Sequence, residues 1–311
     1  MFPCLLFIMI PSRYRVSAFI KAIKNPNMFI GEFNRLLTAI NQKWYQQRSI
    51  ADCTTIFEED WDNLIILDAC RYDVFSDKNF IHGQLKERKS CGSNSREFMK
   101  SNFVGENHHD TVYITANAHA DKLDDSTFHD VFRLYIDDWD SSIGTVHPSK
   151  VARVTEKVNK EYENKRIISH FMQPHAPFIG ETGQSITDTA EGPTTWHQLR
   201  YGMGVTLEDV REAYKENLEI VLNEVKETVQ SISGKNVITS DHGELLGERL
   251  RPIPVRGYEH NPNLYHDNLL RVPWLVIDSK DRKNIEPEPP VSKNKESTDV
   301  VDERLRSLGY K

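Results

Sequence analysis

Three apolar runs in this chain end in groups that can bind a metal ion or move a proton. Val237-Ile-Thr-Ser-Asp-His-Gly-Glu244 closes a β-prone run with a carboxylate, an imidazole and a glycine. Asn63-Leu-Ile-Ile-Leu-Asp68 ends in another carboxylate, and Arg166-Ile-Ile-Ser-His-Phe-Met172 runs into Gln173-Pro174-His175. The adjacent oxygen and nitrogen donors of Asp241 and His242 suit a divalent ion such as Zn²⁺ or Mn²⁺. Gly243 beside them would let the backbone approach that ion or an anionic substrate. Taken singly, Asp-His-Gly also reads as a turn that ends a strand, since Asp and Gly are common strand terminators. Three such ends in one α/β domain converge on one crevice, because ligands gather outside the carboxyl ends of parallel strands.

These strands need a sheet to carry them. Short continuous apolar runs read as buried parallel strands, and Asp110–Ala116 and Val131–Ile136 are β-branched and aromatic enough to join them. Val272–Asp278 supplies a last strand, in which Pro273 argues for an edge position or an irregular start. Helical spacing appears over residues 148–164 and over 207–232, where Val210, Tyr214, Leu218, Val221, Leu222 and Val225 share one face. Strands alternating with helices predict an α/β fold, a mostly parallel open sheet flanked by helices. Residues 180–204, rich in Gly, Thr and Ser, show no period and read as a loop insertion or lid. Residues 1–58 form a helical lead-in or cap, with Phe33, Leu36, Leu37, Ile40 and Trp44 at helical spacing. Residues 59–280 read as the α/β domain that carries these strand ends. The remainder, 281–311, is a charged, proline-rich linker and a small docking helix.

At 311 residues the chain can bury one substantial core. Its net charge of −7 and the absence of a long basic block argue against nucleic acid as a partner. Cys4, Cys53, Cys70 and Cys91 show no paired spacing, so they read as reduced thiols of a cytoplasmic protein. Met1–Ile10 is apolar but too short to cross about 30 Å of hydrocarbon. With Arg13, Arg15, Lys21 and Lys24 behind it, the N-terminal segment either makes a peripheral membrane contact or packs on the domain as an ordinary helix.

Four stretches together, Asn63–Asp68, Gln173-Pro-His-Ala-Pro-Phe178, Ser240-Asp-His-Gly-Glu244 and Arg271-Val-Pro-Trp-Leu275, resemble the alkaline phosphatase and sulfatase superfamily in kind and in order. The resemblance spans roughly residues 60–280 and is nearest to the sulfatase-like hydrolases. It implies an alkaline phosphatase-like three-layer sandwich and one or two divalent ions, Mn, Zn, Mg or Ca. It also implies a nucleophile at a helix start after the first strand, here Ser95 in Ser90-Cys-Gly-Ser-Asn-Ser-Arg-Glu-Phe-Met99, with Ser93 second. A hydroxyl there gains from the positive end of the helix dipole, although a serine at that place can also be a plain N-cap. Asp68, Ser95, Asp241, His242 and His260 become the expected metal shell, with His266 competing for the role of His260. His175 would contact the transferred group or protonate the leaving oxygen, and Arg71 would neutralise its other oxygens or pair with Asp73. His170 reads as a core or supporting histidine, and His108, His109, His119 and His129 as surface residues.

Two departures from the family pattern bear on the chemistry. Cys91-Gly-Ser-Asn-Ser95 lacks the Cys-x-Pro/Ala-x-Arg needed to make formylglycine, so a plain serine nucleophile favours phosphate-type over sulfate esters. Ala69 stands where many sulfatases have a second aspartate. The resulting expectation is a metal-dependent hydrolase or transferase acting on a small-molecule, glycan or lipid ester through a covalent serine. Two rivals are a non-catalytic anion- or glycan-binding accessory protein with the same fold and a phosphomutase-like enzyme, whose large inserted domain this chain has no room for.

Overall fold

In the computed structural model of the protein, the structure describes residues 26–48, 50, 52–186, 194–291 and 298–308. The apolar and basic stretch through Lys24, part of the expected lid (187–193) and part of the expected linker (292–297) lie outside the described residues. The chain runs through α1 (Pro26–Gln46), β1 (Asn63–Leu67), α2 (Tyr72–Lys78), β2 (Gln84–Lys89), α3 (Ser95–Phe103) and β3 (His108–Thr115). Next come β4 (Phe128–Arg133), α4 (Leu134–Asp137), a small hairpin of β5 (Trp139–Asp140) and β6 (Thr145–Val146), α5 (Pro148–Glu161) and β7 (Arg166–Phe171). Then α6 (Glu181–Ile186), α7 (Thr195–Tyr201) and α8 (Leu207–Ser231) lead into β8 (Asn236–Thr239) and a second hairpin, β9 (Leu246–Arg249) with β10 (Arg256–Tyr258). Last are α9 (Asp267–Leu270), β11 (Arg271–Ile277) and α10 (Thr298–Ser307).

Seven strands form one sheet in the order β2-β11-β8-β1-β7-β3-β4. From β8 to β4 every pairing is parallel, and β11 lies antiparallel to both β8 and β2. β1 is buried at all of its positions, as a central strand covered on both faces must be. Its alternate side chains serve opposite layers. Asn63 accepts a hydrogen bond from Asn159 of α5, and α5 packs on α8. On the other face Phe103 of α3 meets Tyr113 and Phe128 edge-on or tilted. This is the three-layer α/β arrangement expected from the alternation of elements.

Several local expectations are corrected. β11 is not an edge strand. Pro273 lies one residue beyond the last β11–β8 pair, Trp274 with Thr239, so its missing N–H falls at the end of that ladder. The edge is β2, which periodicity could not reveal because Gln84-Leu-Lys-Glu-Arg-Lys89 carries one apolar residue and shields an exposed flank with charge. The strand expected over Val131–Ile136 begins earlier, at Phe128, and gives way to α4 at Leu134. The expected lid contains two helical pieces, α6 and α7. His108, His119 and His129 are buried rather than on the surface. The proline-rich segment is hydrogen-bonded back onto the sheet: Glu286 N–H donates to Asn164, Glu288 N–H to His109, and Val291 N–H to His129.

The cysteines depart furthest from expectation. Cys53 and Cys91 form a disulfide, with Cα atoms 5.2 Å apart, while Cys70 is buried and free. The bridge ties the segment before β1 to the loop that leads into α3. Among the described residues no helix is long and apolar enough to cross a membrane.

Candidate metal centre

Asp68 follows β1 and Asp241 follows β8, and these strands are parallel neighbours in the sheet. The sheet therefore brings the two carboxylates side by side, fully buried. The turn between them is tightly determined. Ala69 adopts a left-handed conformation, φ 59°, uncommon for a residue with a Cβ. Its N–H donates to Asp241 Oδ1 at 3.1 Å, and its carbonyl accepts from the Tyr214 hydroxyl at 2.6 Å. Cys70 N–H donates to Ser240 Oγ, and Ser240 Oγ donates in turn to the Leu67 carbonyl. Position 69 thus serves to turn the chain, which an alanine can do without offering a ligand.

Each aspartate uses one oxygen for protein hydrogen bonds and leaves the other bare. Asp241 Oδ1 accepts from Ala69 and His242 N–H, while Oδ2 has no hydrogen-bond partner. Asp68 Oδ2 accepts from Ser95 Oγ at 3.3 Å and from Asn117 Nδ2 at 2.5 Å, while Oδ1 has none. His242 Nδ1 lies 2.8 Å from the Gly243 carbonyl, an acceptor, which fixes Nδ1 as the protonated nitrogen. The lone pair of Nε2 then faces Ser95 Oγ at 3.2 Å, Asp241 Oδ2 at 3.4 Å and Asp68 Oδ1 at 3.6 Å. A buried carboxylate oxygen without a partner costs several kcal/mol, roughly, unless a cation answers it. Two bare oxygens and an imidazole lone pair meeting at one point fit a divalent ion.

Ser95 is delivered by α3. The helix is capped by Asn94, whose side chain accepts from Glu97 N–H at 3.1 Å, so Ser95 occupies the first helical position and its hydroxyl is free to point at Asp68 and His242. Ser93 donates to Glu97 Oε2 at 2.8 Å instead and takes no part in this cluster. The loop before the helix is packed tightly: a Cβ at Gly92 would come within 2.2 Å of the Phe98 nitrogen. Ser90 Oγ donates to the Asp241 carbonyl, fastening this loop to the β8 end.

A second cluster adjoins the first. His175, Glu244 and His260 place donor atoms within 4.8 Å of one another. His260 Nδ1 sits 3.2 and 3.1 Å from the two Glu244 oxygens, and its ring lies 4.4 Å from that of His242 and 5.0 Å from that of His175. Burial disfavours the charged form of His260, but Glu244 outweighs it and lifts the pKa to about 9. His175 goes the other way, lowered by burial against the pull of Asp68. Burial would raise Asp68, yet the neighbouring imidazoles of His170, His175 and His242 hold it below the usual carboxylate range.

Arg71 reaches these groups only through the Glu244 carbonyl, 3.4 Å from its Nη1. Its guanidinium binds Asp73 at 2.9 and 2.6 Å and Glu248 at 2.6 Å, so its charge is spent on two carboxylates and the oxygen-neutralising role is not assigned to it. His266 caps α9, its Nδ1 accepting from Asn268 N–H at 3.1 Å. Gly243 does permit a close approach, but to protein: a Cβ there would lie 2.0 Å from the Asn268 carbonyl.

Three residues join the site that strand-end reasoning did not single out. His170 Nε2 stands 3.6 Å from Asp68 Oδ2 and 3.7 Å from Asp241 Oδ2, while Nδ1 meets the Tyr113 hydroxyl at 2.9 Å. Asn117 steadies Asp68, and Glu244 holds His260. His170 sits within β7 rather than at its end, and Asn117 carries no motif. Glu244 closes the very run that ends in Asp241 and His242, and pairing it with the distant His260 required the fold.

No protein-family model and no curated protein matches the chain. Among solved structures it is similar to the C-terminal periplasmic domain of EcEptC from Escherichia coli in complex with Zn. That likeness has 14% identity over 75% of this chain and 77% of the other, with a TM-score of 0.45. It is similar to BT1596, a 2-O GAG sulfatase, at 12% identity over 73% of this chain and 65% of the other, TM-score 0.42. A protein in the alkaline phosphatase superfamily from Vibrio parahaemolyticus gives 11% identity over 72% and 61%, TM-score 0.42. The cytoplasmic setting expected from unpaired cysteines is corrected by the Cys53–Cys91 disulfide, a bond that forms and persists in oxidising compartments. The mostly parallel seven-stranded α/β sheet between helical layers agrees with the fold class that the sequence motifs imply.

Proposed function

We propose that this chain is a metal-dependent enzyme, in an extracytoplasmic setting, that transfers a phosphate-type or sulfate group from an ester to Ser95, releasing the alcohol, and then from Ser95 to water or an acceptor hydroxyl, freeing the serine. The observation that carries the reading is the placing of one buried hydroxyl, at a helix N-terminus, against two aspartates that each keep a bare oxygen and a histidine that presents a lone pair. A purely structural cluster would satisfy those oxygens within the protein.

Asp68, Asp241 and His242 would hold the ion, with Ser95 beside it, and its charge would lower the proton affinity of the serine hydroxyl and offset that of the ester oxygens. The chain supplies the rest. The N-terminus of α3 directs its first N–H groups and dipole toward the group being transferred. Asn117 and the Ala69 turn hold the two aspartates so that little reorganisation accompanies the reaction. His260, oriented by Glu244, is the imidazole placed to pass a proton to the departing oxygen, with His175 against its face. A plain serine at position 95 favours phosphate-type esters, with a cell-surface glycan, a lipid head group or a phosphonate as the natural substrate.

The test is turnover of aryl phosphate monoesters, diesters and sulfates by the metal-loaded protein. Ser95→Ala should lose activity by about a thousandfold or more with the fold intact. Undiminished turnover in that variant removes Ser95 from the mechanism, and an inactive wild-type protein that retains no metal favours an anion-binding accessory role.

A further inference from the structure

Helix α1 is turned inside out relative to an ordinary surface helix. The side that meets the protein is small and polar: Gly31, Thr38 and Asn41 are buried. A Cβ at Gly31 would lie 2.8 Å from the Tyr201 ring, and Asn41 exchanges hydrogen bonds with the backbone of Ile253 at 2.9 Å each way. The outer side is apolar. Phe29, Ile30 and Phe33 are 48%, 63% and 51% exposed, and the two phenyl rings stack at 6.2 Å. Leu37, Ile40 and Trp44, at helical spacing from Phe33, continue this stripe half-buried. Such a face is costly to leave in water.

Charge is segregated in the same region. The chain carries 39 Lys and Arg against 46 Asp and Glu, yet residues 1–48 contain seven bases and one acid, Glu32. The residues preceding α1, through Lys24, are themselves rich in apolar side chains. An outward apolar stripe in a part of the sequence that is basic and acid-poor has the composition of a segment that lies in a membrane interface, where apolar side chains meet acyl chains and cations meet lipid phosphates. A soluble partner could meet the apolar stripe, but it would leave the clustered cations unexplained.

We infer that the outer face of α1 docks on an anionic phospholipid surface. The inner face of α1 rests on the segment that carries His260: Gln42 donates to the Pro262 carbonyl at 2.8 Å, and Tyr45 meets Tyr265 edge-on. Its N-terminal half also holds α7 through Glu32 and Tyr201, and Arg200 of α7 pairs with Glu259 at 2.7 Å. Docking would set the candidate metal centre one helix away from the lipid head groups.

The test uses the full chain and vesicles of phosphatidylcholine alone or mixed with phosphatidylglycerol. The chain should sediment with the mixed vesicles, more weakly with the neutral ones, and less as salt is raised. Phe29→Gln with Phe33→Gln should weaken partition into mixed vesicles by at least about tenfold while leaving the circular dichroism spectrum unchanged. A bimane probe on Phe33→Cys, in a Cys4→Ser background, should shift to the blue with mixed vesicles, less with neutral ones, and not at all without vesicles. Equal partition of the doubly substituted chain, or no binding to either vesicle, overturns the inference. So does a blue shift without vesicles, which would mean that the N-terminal residues or a second copy cover the face. All of these readouts are independent of ester turnover, so failure here leaves the proposed reaction standing.

Discussion

Ser95 and Ser93 are two residues apart and both fully buried, yet they meet different partners. Asn94 takes the capping role that a serine near a helix start would otherwise fill, and Glu97 takes the hydroxyl of Ser93. Only Ser95 faces the aspartates. His260 offers a residue-scale prediction in the metal-free protein. Its folded-state pKa of about 9 exceeds the ordinary histidine value, so the His260–Glu244 pair contributes stability that is complete below about pH 6.5. That contribution fades as pH rises through 9. Denaturant unfolding of the apo protein should therefore show a loss of stability over that window, and Glu244→Gln should flatten it. Stability that stays level from pH 6.5 to 9 would contradict the pairing.

At the scale of elements, strand ends position the centre and the loop before α3 sets the nucleophile. Asp68, Asp241 and His242 stand out in the sequence because each closes a short apolar run, whereas Ser95 follows from the family resemblance, which implies a nucleophile at a helix start. His170 does not stand out, because a histidine inside a buried strand has the same local signature whether it fills the core or faces a metal. β2 escaped because a charged edge strand has no apolar period, and α4 because Leu134–Asp137 continues the β-like composition of β4. Two substitutions probe the loops. Asn94→Ala should cost about 1 kcal/mol from the lost cap and lower kcat if α3 frays at Ser95. Gly243→Ala would drive a methyl group into the Asn268 carbonyl and should displace His242, lowering metal affinity by about tenfold or more. Isothermal titration of the apo variants with Zn²⁺ and Mn²⁺ checks the second, and unchanged affinity would show that this contact does not position the ligand.

For the whole molecule, the disulfide changes the physical setting that the sequence implied. Cys53 and Cys91 are 38 residues apart with no diagnostic spacing, and only the folded chain brings the start of the domain against the loop before α3. Closing a loop of that length stabilises the fold by about 4 kcal/mol in the chain-entropy account. Reduction, or Cys53→Ser with Cys91→Ser, should lower the urea midpoint accordingly, and equal midpoints would show that the bridge contributes nothing. The architecture was readable because alternating strands and helices leave few ways to cover a parallel sheet. The outward apolar face of α1 was not, since the spacing of Phe33, Leu37, Ile40 and Trp44 records a stripe without recording which way it points.

The covalent role of Ser95 is the claim on which the mechanism turns. Its most direct test is acid quenching of the metal-loaded protein during turnover of an aryl ester, followed by peptide mapping by mass. The account predicts a phosphoryl or sulfuryl adduct on Ser95, absent in Ser95→Ala. An adduct on Ser93 or on another residue, or steady turnover by Ser95→Ala, would contradict it.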